Sequence, residues 1–194
     1  MQGRSPTPDW SKIPAPVDDG GARHLPGARV PPVPLPATDG ATVDLSALPG
    51  RVLVYAYPRT SPPEGSGIEG WDAIPGARGC TPQSCAFRDH FAELRALGVA
   101  RLFGLSTQDT AYQRGAAERL RLHFPLLSDA RLEFAGAMRL PTFEAGGMVL
   151  LKRLTLVLRD GAVERVFYPV FPPDRSAAEA VAWLSSGQAE PAAG

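Results

Sequence analysis

The stretch "GARGCTPQSCAFRDHFAEL" (Gly76–Leu94) contains both cysteines of the 194-residue chain, Cys80 and Cys85, and leads into a helical pattern. A helix over Thr81–Leu97 is predicted because apolar residues recur at helical spacing with charged residues between them. The apolar members of the pattern are Phe87, Phe91, Leu94 and Leu97. Two cysteines at the start of a helix, in a chain that has no others, favour a reactive site over simple packing.

The segments on both sides of this helix alternate between strand and helix. A buried strand, "RVLVYAYP" (Arg51–Pro58), precedes it and ends at a proline. The later predictions are a strand at Ala100–Thr107, a helix at Asp109–Leu122, a strand at Phe124–Asp129, a helix at Ala130–Leu140, a hairpin at Arg153–Val170 and a helix at Arg175–Leu184. This order predicts parallel β–α–β crossovers closed by an antiparallel edge. We therefore expect an α/β fold of the thioredoxin-like type, a three-layer sandwich whose helices flank a mixed central sheet. The cysteines would lie at the carboxyl edge of that sheet, where ligand sites cluster.

Proline and glycine are concentrated in two places. The first is the N-terminal part of the chain, which includes "VPPVPLP" at Val30–Pro36 and is typical of an extended arm. The second is "SPPEGSGIEGWDAIPGARG" at Ser61–Gly79, directly before the cysteines. The predicted division is an extended Pro-rich arm over 1–33, a thioredoxin-like domain over 34–186 and a flexible tail over 187–194.

The composition excludes several classes of partner. Lys plus Arg and Asp plus Glu both number 20, so a formal net charge of zero gives no electrostatic footprint for nucleic acid. No apolar run reaches the roughly 18 residues of a membrane span, and the N-terminal segment lacks the apolar core of a secretory signal. We therefore expect no nucleic-acid or membrane partner and a cytoplasmic location. Structural disulfides are rare there, so a close cysteine pair favours redox chemistry or metal binding.

Metal binding is the weaker of these two interpretations. Zinc sites commonly space their cysteines by two to four residues and need further ligands, whereas His24, His90 and His123 are scattered. No metal and no other cofactor is predicted. A third interpretation is that the cysteines are small buried hydrophobic residues.

The position of Cys80 at the helix start has a chemical consequence. Unpaired N–H groups and the helix dipole in the first turn favour an anion, and the thiolate is the nucleophilic form of cysteine. Cys85 follows five positions later, which places the two Cα atoms about 8–9 Å apart in an intact helix. A disulfide needs less than about 7 Å. The pair can therefore form a disulfide only if the first turn unwinds, and Pro82 within that turn has no N–H to lose.

The segment "GCTPQSCAFRDHFAELRALGV" resembles the active-site helix of peroxiredoxins, in particular the peroxiredoxin Q group, also called bacterioferritin comigratory protein. The matching residues are Gly79, Cys80, Thr81, Cys85, Phe87, Arg88 and Asp89. Weaker similarities cover about Pro34–Leu184, including "KRLTLVLRDGAVERVFYPV" with Arg153 in the place of the family's arginine.

The resemblance implies a thiol peroxidase that acts on H2O2 and organic hydroperoxides. Cys80 would be the peroxidatic cysteine, Cys85 the resolving cysteine that forms an intramolecular disulfide, and Arg153 the cation that activates the thiolate. Thioredoxin or a similar dithiol reductant would restore the thiols, and the protein would be a monomer or a homodimer. The alternative for Arg153 is an ordinary surface arginine on a strand.

The chain departs from the family pattern just before Cys80. Ala77 stands where the family has a threonine whose hydroxyl orients the peroxide, and about twenty residues separate it from Pro58 and Thr60. Either Thr60 folds back towards Cys80, with Pro58 in the shielding position, or another donor serves. Arg78 is a candidate for an extra cation near the thiolate. The inserted segment is a candidate lid or partner surface, or a tolerated surface loop.

The departure at Ala77 leaves competing functions open. One is a thioredoxin-like redox sensor or thiol–disulfide reductase without peroxidase activity, although the chain has no Cys-x-x-Cys. Another is a copper-delivery protein of thioredoxin fold, although the cysteine spacing does not match.

Overall fold

The computed structural model describes residues 8–62, 64–65 and 67–187. Its strands are β1 (Pro34–Pro36), β2 (Thr42–Asp44), β3 (Arg51–Ala56), β4 (Val99–Ser106), β5 (Leu126–Ser128), β6 (Thr142–Ala145), β7 (Met148–Leu151), β8 (Leu154–Arg159) and β9 (Ala162–Phe167). Its α-helices are α1 (Cys80–Asp89), α2 (Phe91–Ala96), α3 (Thr110–Leu120), α4 (Glu133–Met138) and α5 (Ser176–Ser185). Short 3-10 turns lie at Trp10–Lys12, Leu45–Ala47, Trp71–Ala73 and Pro173–Arg175.

The central sheet has the strand order β5-β4-β3-β8-β9. Strand β3 runs parallel to β4, and β4 runs parallel to β5. Strands β8 and β9 complete the other edge in antiparallel pairing. This mixed sheet flanked by helices confirms the predicted thioredoxin-like α/β sandwich.

Strand β3 separates two apolar layers. Val52, Val54 and Ala56 belong to the cluster on one face, and Leu53 and Tyr55 belong to the cluster on the other. Successive side chains of a strand point to opposite faces, so a continuous apolar run fills both layers of a buried sheet. The second layer also contains Cys80 and Phe87, and it therefore connects the sheet to the reactive helix.

The predicted helix over Thr81–Leu97 is two helices. It begins one residue earlier, at Cys80, and breaks at His90, whose φ of −92° and ψ of 4° interrupt the helical path between α1 and α2. The apolar spacing continues across the break, because Phe87 and Leu94 are both fully buried in the same layer. Periodicity alone therefore did not reveal the interruption.

A hairpin that the sequence pattern did not indicate lies between α4 and β8. Strands β6 and β7 pair around Gly146 and Gly147, which both have positive φ. The two strands are four residues each, too short for alternation to stand out. The Gly-Gly pair between them was the available signal.

The arm contributes to the core as well as running along it. Ala22, Leu25 and Val30 are buried in the first layer, and Arg29 forms a bridge with Ala162 of β9. The division at residue 33 stays a prediction. Residues 1–7 of the arm and 188–194 of the tail lie outside the described residues.

Candidate active site

Cys80 is the first residue of α1 and is 4% exposed. The residue before it, Gly79, has a φ of 111°, a left-handed conformation that glycine adopts without the steric cost of a side chain. This turn brings the chain from the inserted segment into the helix, with the Cys80 thiol among buried groups. The thiol donates to the carbonyl of Ala77 across 3.7 Å.

The guanidinium of Arg153 contacts the Cys80 sulfur. Arg153 lies between β7 and β8 and is 3% exposed, which excludes the surface-arginine alternative. Its Nη2 donates to Cys80 Sγ at 3.3 Å and also contacts the carbonyls of residues 76, 77 and 78, each at 3.2 Å. A buried cation that donates to sulfur stabilises the thiolate by charge and by hydrogen bonding.

A buried polar network fixes this guanidinium relative to α1. Arg153 Nη1 donates to Gln83 Oε1, and Gln83 Nε2 donates to Ser176 Oγ at 3.1 Å. Ser176 in turn lies within 3.2 Å of the Thr155 hydroxyl. Sequence reasoning missed Gln83, because a single glutamine in a helix carries no signal until its neighbours in space are known.

Cys85 lies further along α1 and is half-buried. Burial raises the pKa of its thiol, an effect that Arg88 partly opposes. Both cysteines are free thiols in this structure. Because both belong to the intact helix α1, their Cα atoms are about 8–9 Å apart by helix geometry, beyond the reach of a disulfide.

Thr60 has partners of its own beyond the end of β3. It is 1% exposed, its hydroxyl donates to Gln108 Oε1 at 3.2 Å, and its carbonyl accepts from the Tyr112 hydroxyl at 2.9 Å. Pro58 is buried beside it in the chain. The contacts of Thr60 therefore lead to Gln108 and α3, and a role for Thr60 and Pro58 at the cysteine stays a prediction.

The inserted segment packs on the β6–β7 hairpin. Ala77 is fully buried in a small apolar cluster with Trp71 and Leu150, and Phe143 packs against that cluster. The side chain of Arg78 pairs with Asp72 at 2.7 Å on the surface, so the contact that Arg78 makes with Arg153 is through its carbonyl. In place of the family's threonine hydroxyl, this chain therefore has an apolar contact at Ala77.

Tyr55 of the central sheet packs against the middle of α1. Phe87 stacks on Tyr55 of β3 with ring centroids 4.4 Å apart and planes 10° from parallel. The Tyr55 hydroxyl donates to Ser84 Oγ at 3.1 Å, and burial raises the pKa of that phenol well above its ordinary value. Tyr55 therefore remains a neutral hydrogen-bond donor under α1.

A cavity of about 260 Å³ lies beside Arg153. Its apolar walls come from the arm, the segment before Cys80 and β6, and they include Val17, Ile74 and Phe143. Arg153 and Gly76 line the cavity and also belong to the surroundings of the Cys80 sulfur. The cavity thus combines an apolar wall with the cation that contacts the thiol.

Comparisons with known proteins agree with this geometry. A family model described as Redoxin matches residues 25–182. Peroxiredoxin Q, chloroplastic, of Populus jackii is 32% identical over 162 residues, which cover 82% of this chain and 68% of that protein. Peroxiredoxin Bcp of Escherichia coli (strain K12) is 34% identical over 146 residues, covering 73% of this chain and 83% of that protein. The crystal structure of peroxidoxin BcpB from Mycobacterium tuberculosis is similar with a TM-score of 0.67 at 29% identity, covering 84% of this chain and 98% of that one.

The fold and the matched family model first define the class, a redoxin with a thioredoxin-like sheet. With relatives above 30% identity, the chain belongs to the peroxiredoxins, and within them to the peroxiredoxin Q/Bcp group of thiol peroxidases. The resemblance seen in the cysteine helix is thereby confirmed. The chain spans about two thirds of the length of the plant relatives. Among the described residues, no helix combines the length and apolarity needed to cross a membrane.

Proposed function

We propose that Cys80 is the peroxidatic cysteine of this thiol peroxidase. Its thiolate attacks the distal oxygen of a hydroperoxide, the O–O bond breaks, and the departing oxygen takes up a proton to leave as water or an alcohol. Cys80 is left as a sulfenic acid. The observation that carries this assignment is the 3.3 Å contact between Arg153 Nη2 and Cys80 Sγ at the first residue of α1. Among the described residues, no guanidinium donates to the Cys85 sulfur; burial raises the pKa of that thiol, and Arg88 lowers it only in part.

Arg153 activates the thiolate and holds it in place. Its guanidinium supplies a positive charge to the sulfur, and its bond to Gln83 fixes the direction from which that charge acts. A buried charge on sulfur would otherwise carry a large desolvation penalty. An N–H group of the same guanidinium is also close enough to the sulfur to polarise an incoming peroxide.

Cys85 is the resolving cysteine. Its thiol condenses with the Cys80 sulfenic acid, so that an S–S bond forms and water leaves. The first turn of α1 must unwind for this step, because the intact helix keeps the sulfurs apart. A thioredoxin-type dithiol then reduces the disulfide by exchange and is itself oxidised.

The substrates are H2O2 and organic hydroperoxides. The cavity beside Arg153 supports the organic class, because its apolar walls can contact an alkyl or aryl group while its polar lining, which also includes Lys152 and Tyr168, contains the residue that contacts Cys80. We further propose that the enzyme works in the cytoplasm. We also propose that it is a monomer or a homodimer, since an intramolecular disulfide requires no second chain.

One experiment tests the reaction. Reduced protein is mixed with equimolar H2O2, and free thiols and intact mass are followed over seconds. The expected result is the loss of both thiols with a mass lower by two hydrogens and with no covalent dimer. Absence of reaction at sub-millimolar peroxide would contradict the proposal, and a disulfide-linked dimer would contradict the role of Cys85.

A further inference from the structure

Trp10 of the N-terminal arm lies against the turn that precedes the reactive cysteine. Its indole Nε1 donates to Asp174 Oδ2 at 3.0 Å, and its ring meets Phe171 edge-on with centroids 6.0 Å apart. The same ring packs on Gly79. A Cβ built on Gly79 would lie 2.9 Å from Trp10 Cη2 and 2.5 Å from Pro173 Cγ, so no side chain fits there.

Trp10 contacts Gly79, Phe171, Pro173 and Asp174. Hydrogen bonds fix this contact both on the arm and on the domain. On the arm, Asp9 caps the 3-10 turn by accepting from the Ser11 amide at 3.2 Å. On the domain, the turn Pro173–Arg175 leads directly into Ser176, the residue that accepts from Gln83 of α1. The Trp10 contact and the Gln83–Ser176 bond therefore fix the first turn of α1 to the start of α5 through different atoms.

Asp174 gives this arrangement a specific partner for the indole. Its Oδ1 is buried and finds no hydrogen-bond partner among the described residues, while Oδ2 accepts from Trp10. A carboxylate with one oxygen already lacking a partner depends on the remaining bond. Removal of the indole would leave both oxygens without a partner until water enters.

We propose that Trp10 is a positioning residue that keeps the Cys80 turn folded, so that the arm is bound in the dithiol state and released when the disulfide forms. The inference rests on the proposed Cys80–Cys85 disulfide. Gly79 is the N-cap directly before the turn that must unwind, and it packs against Trp10 and Pro173 while that turn is folded. Binding of the arm and unwinding of the turn are therefore mutually opposed, and each must weaken the other.

The competition between arm binding and unwinding of the first turn affects the reaction while Cys80 is a sulfenic acid. While the turn is folded, Cys80 can react with a second peroxide to give sulfinic acid; once it is unwound, Cys85 can resolve it with loss of water. By favouring the folded turn, Trp10 slows resolution and raises the yield of sulfinic acid. It also destabilises the disulfide relative to the dithiol.

The test compares Trp10→Ala and Trp10→Phe with Lys12→Ala, an exposed neighbour in the same 3-10 turn whose side chain pairs with Asp9. In Trp10→Ala, we expect disulfide formation to be about three- to tenfold faster, as for loss of one aromatic contact. The sulfinic acid formed per turnover at high peroxide should fall by a similar factor, and a glutathione redox buffer should leave more disulfide. Trp10→Phe should give intermediate values, and Lys12→Ala should match the parent protein.

Amide exchange of residues 8–13 in the dithiol and disulfide forms of the parent protein supplies the second measurement. Faster exchange in the disulfide form is expected. If the disulfide forms and exchange of the arm does not change, or if Trp10→Ala lowers resolution and sulfinic acid together, the coupling is wrong while the proposed function stands. If mass mapping finds no Cys80–Cys85 disulfide in the parent protein, the proposed function fails and the coupling fails with it.

Discussion

Each half of α1 contributes buried side chains, but different forces hold them. In the first half, Gln83 and Ser84 are fully buried, and both are held by hydrogen bonds to Arg153, Ser176 and Tyr55. In the second half, Phe87 is held by its stack on Tyr55. A buried hydrogen bond contributes about 0.5–1.5 kcal/mol net, and about 1.5–3 kcal/mol where a charged donor such as Arg153 is involved, but water can replace its partner, whereas buried aromatic surface has no such substitute. The first half can therefore unwind while the second half keeps the helix attached to the sheet.

Cys80 lies in the first half of α1 and Cys85 begins the second half. Substitution of these cysteines should have the largest effect on peroxidase activity. Cys80→Ser should abolish peroxide turnover, because it removes the sulfur beside Arg153. Cys85→Ser should still permit one oxidation, which a dimedone-type reagent would trap, and overoxidation should follow. Equal loss of the first oxidation in both variants would show that the two roles are wrongly assigned.

The second half of the helix should be far more sensitive to truncation than the first. Phe87→Ala removes a fully buried ring and should lower the free energy of unfolding by about 3–5 kcal/mol. Ser84→Ala, at an equally buried position, removes one hydrogen bond to Tyr55 and should cost about 1–2 kcal/mol. Denaturant titrations of the two reduced variants give both values, and similar losses would invalidate the comparison.

Removal of the Arg153 charge should slow the first oxidation by about 10- to 100-fold at neutral pH. The charge-assisted contact to sulfur is worth about 1.5–3 kcal/mol. The variant is Arg153→Met, and the measurement is thiolate absorbance together with stopped-flow oxidation. Arg153→Lys, which keeps the charge but loses the fork that also bonds Gln83, should lie between Met and the parent. An unchanged rate in Arg153→Met would assign activation to the helix N-terminus alone.

The resolving step should depend on pH through Cys85. Burial raises the pKa of its thiol, so the neutral form dominates at pH 7 and the thiolate fraction grows as pH rises. If thiolate attack limits the step, disulfide formation should accelerate by about tenfold per pH unit from pH 7 to 8. A pH-independent rate would mean instead that unwinding of the first turn limits resolution. Rapid quench followed by mass analysis separates the two cases.

The smallest expected effect concerns the cavity beside Arg153. Val17 is 83% exposed and lines the cavity, so Val17→Trp can enter this space without disturbing the core. The ratio of kcat/KM for cumene hydroperoxide to that for H2O2 should fall about three- to fivefold, as expected for modest loss of apolar contact. Val17→Ser serves as the control for removal of the side chain. A ratio unaffected by Val17→Trp would place the organic group elsewhere.

Much of the fold followed from the sequence, because alternating strands and helices leave few possible sheet topologies. The apolar run "RVLVYAYP" was predicted to be a buried strand, and β3 lies in the sheet between β4 and β8. The helix break at His90 and the β6–β7 hairpin were missed, since both are set by packing and by short turns rather than by long periodic patterns. The burial of Leu25 and Val30 in the core was also invisible, because a proline-rich arm has no period.

The site was predicted less completely than the fold. The cysteine pair is local in sequence, so its spacing was readable, whereas Arg153 came only from family resemblance and Gln83 was not seen at all. The bond between these two residues spans 70 positions and depends on how the connection between β7 and β8 lies against α1. Thr60 illustrates the reverse case: its hydroxyl, which the sequence offered as a donor near the cysteine, donates to Gln108, and its carbonyl accepts from the Tyr112 hydroxyl.

The contact of Arg153 with three successive carbonyls affects how long the inserted segment before Cys80 can be. Because Nη2 binds the backbone carbonyls of residues 76–78 together with the sulfur, the end of the inserted segment is fixed in part by bonds that do not involve its side chains. A change of the exposed Arg78 side chain would leave these bonds in place. Closing a flexible loop of twice the length costs only about 0.6 kcal/mol. The segment that begins at Ser61 is therefore a place where an engineer could graft a longer peptide or a binding module while the cysteine keeps its surroundings.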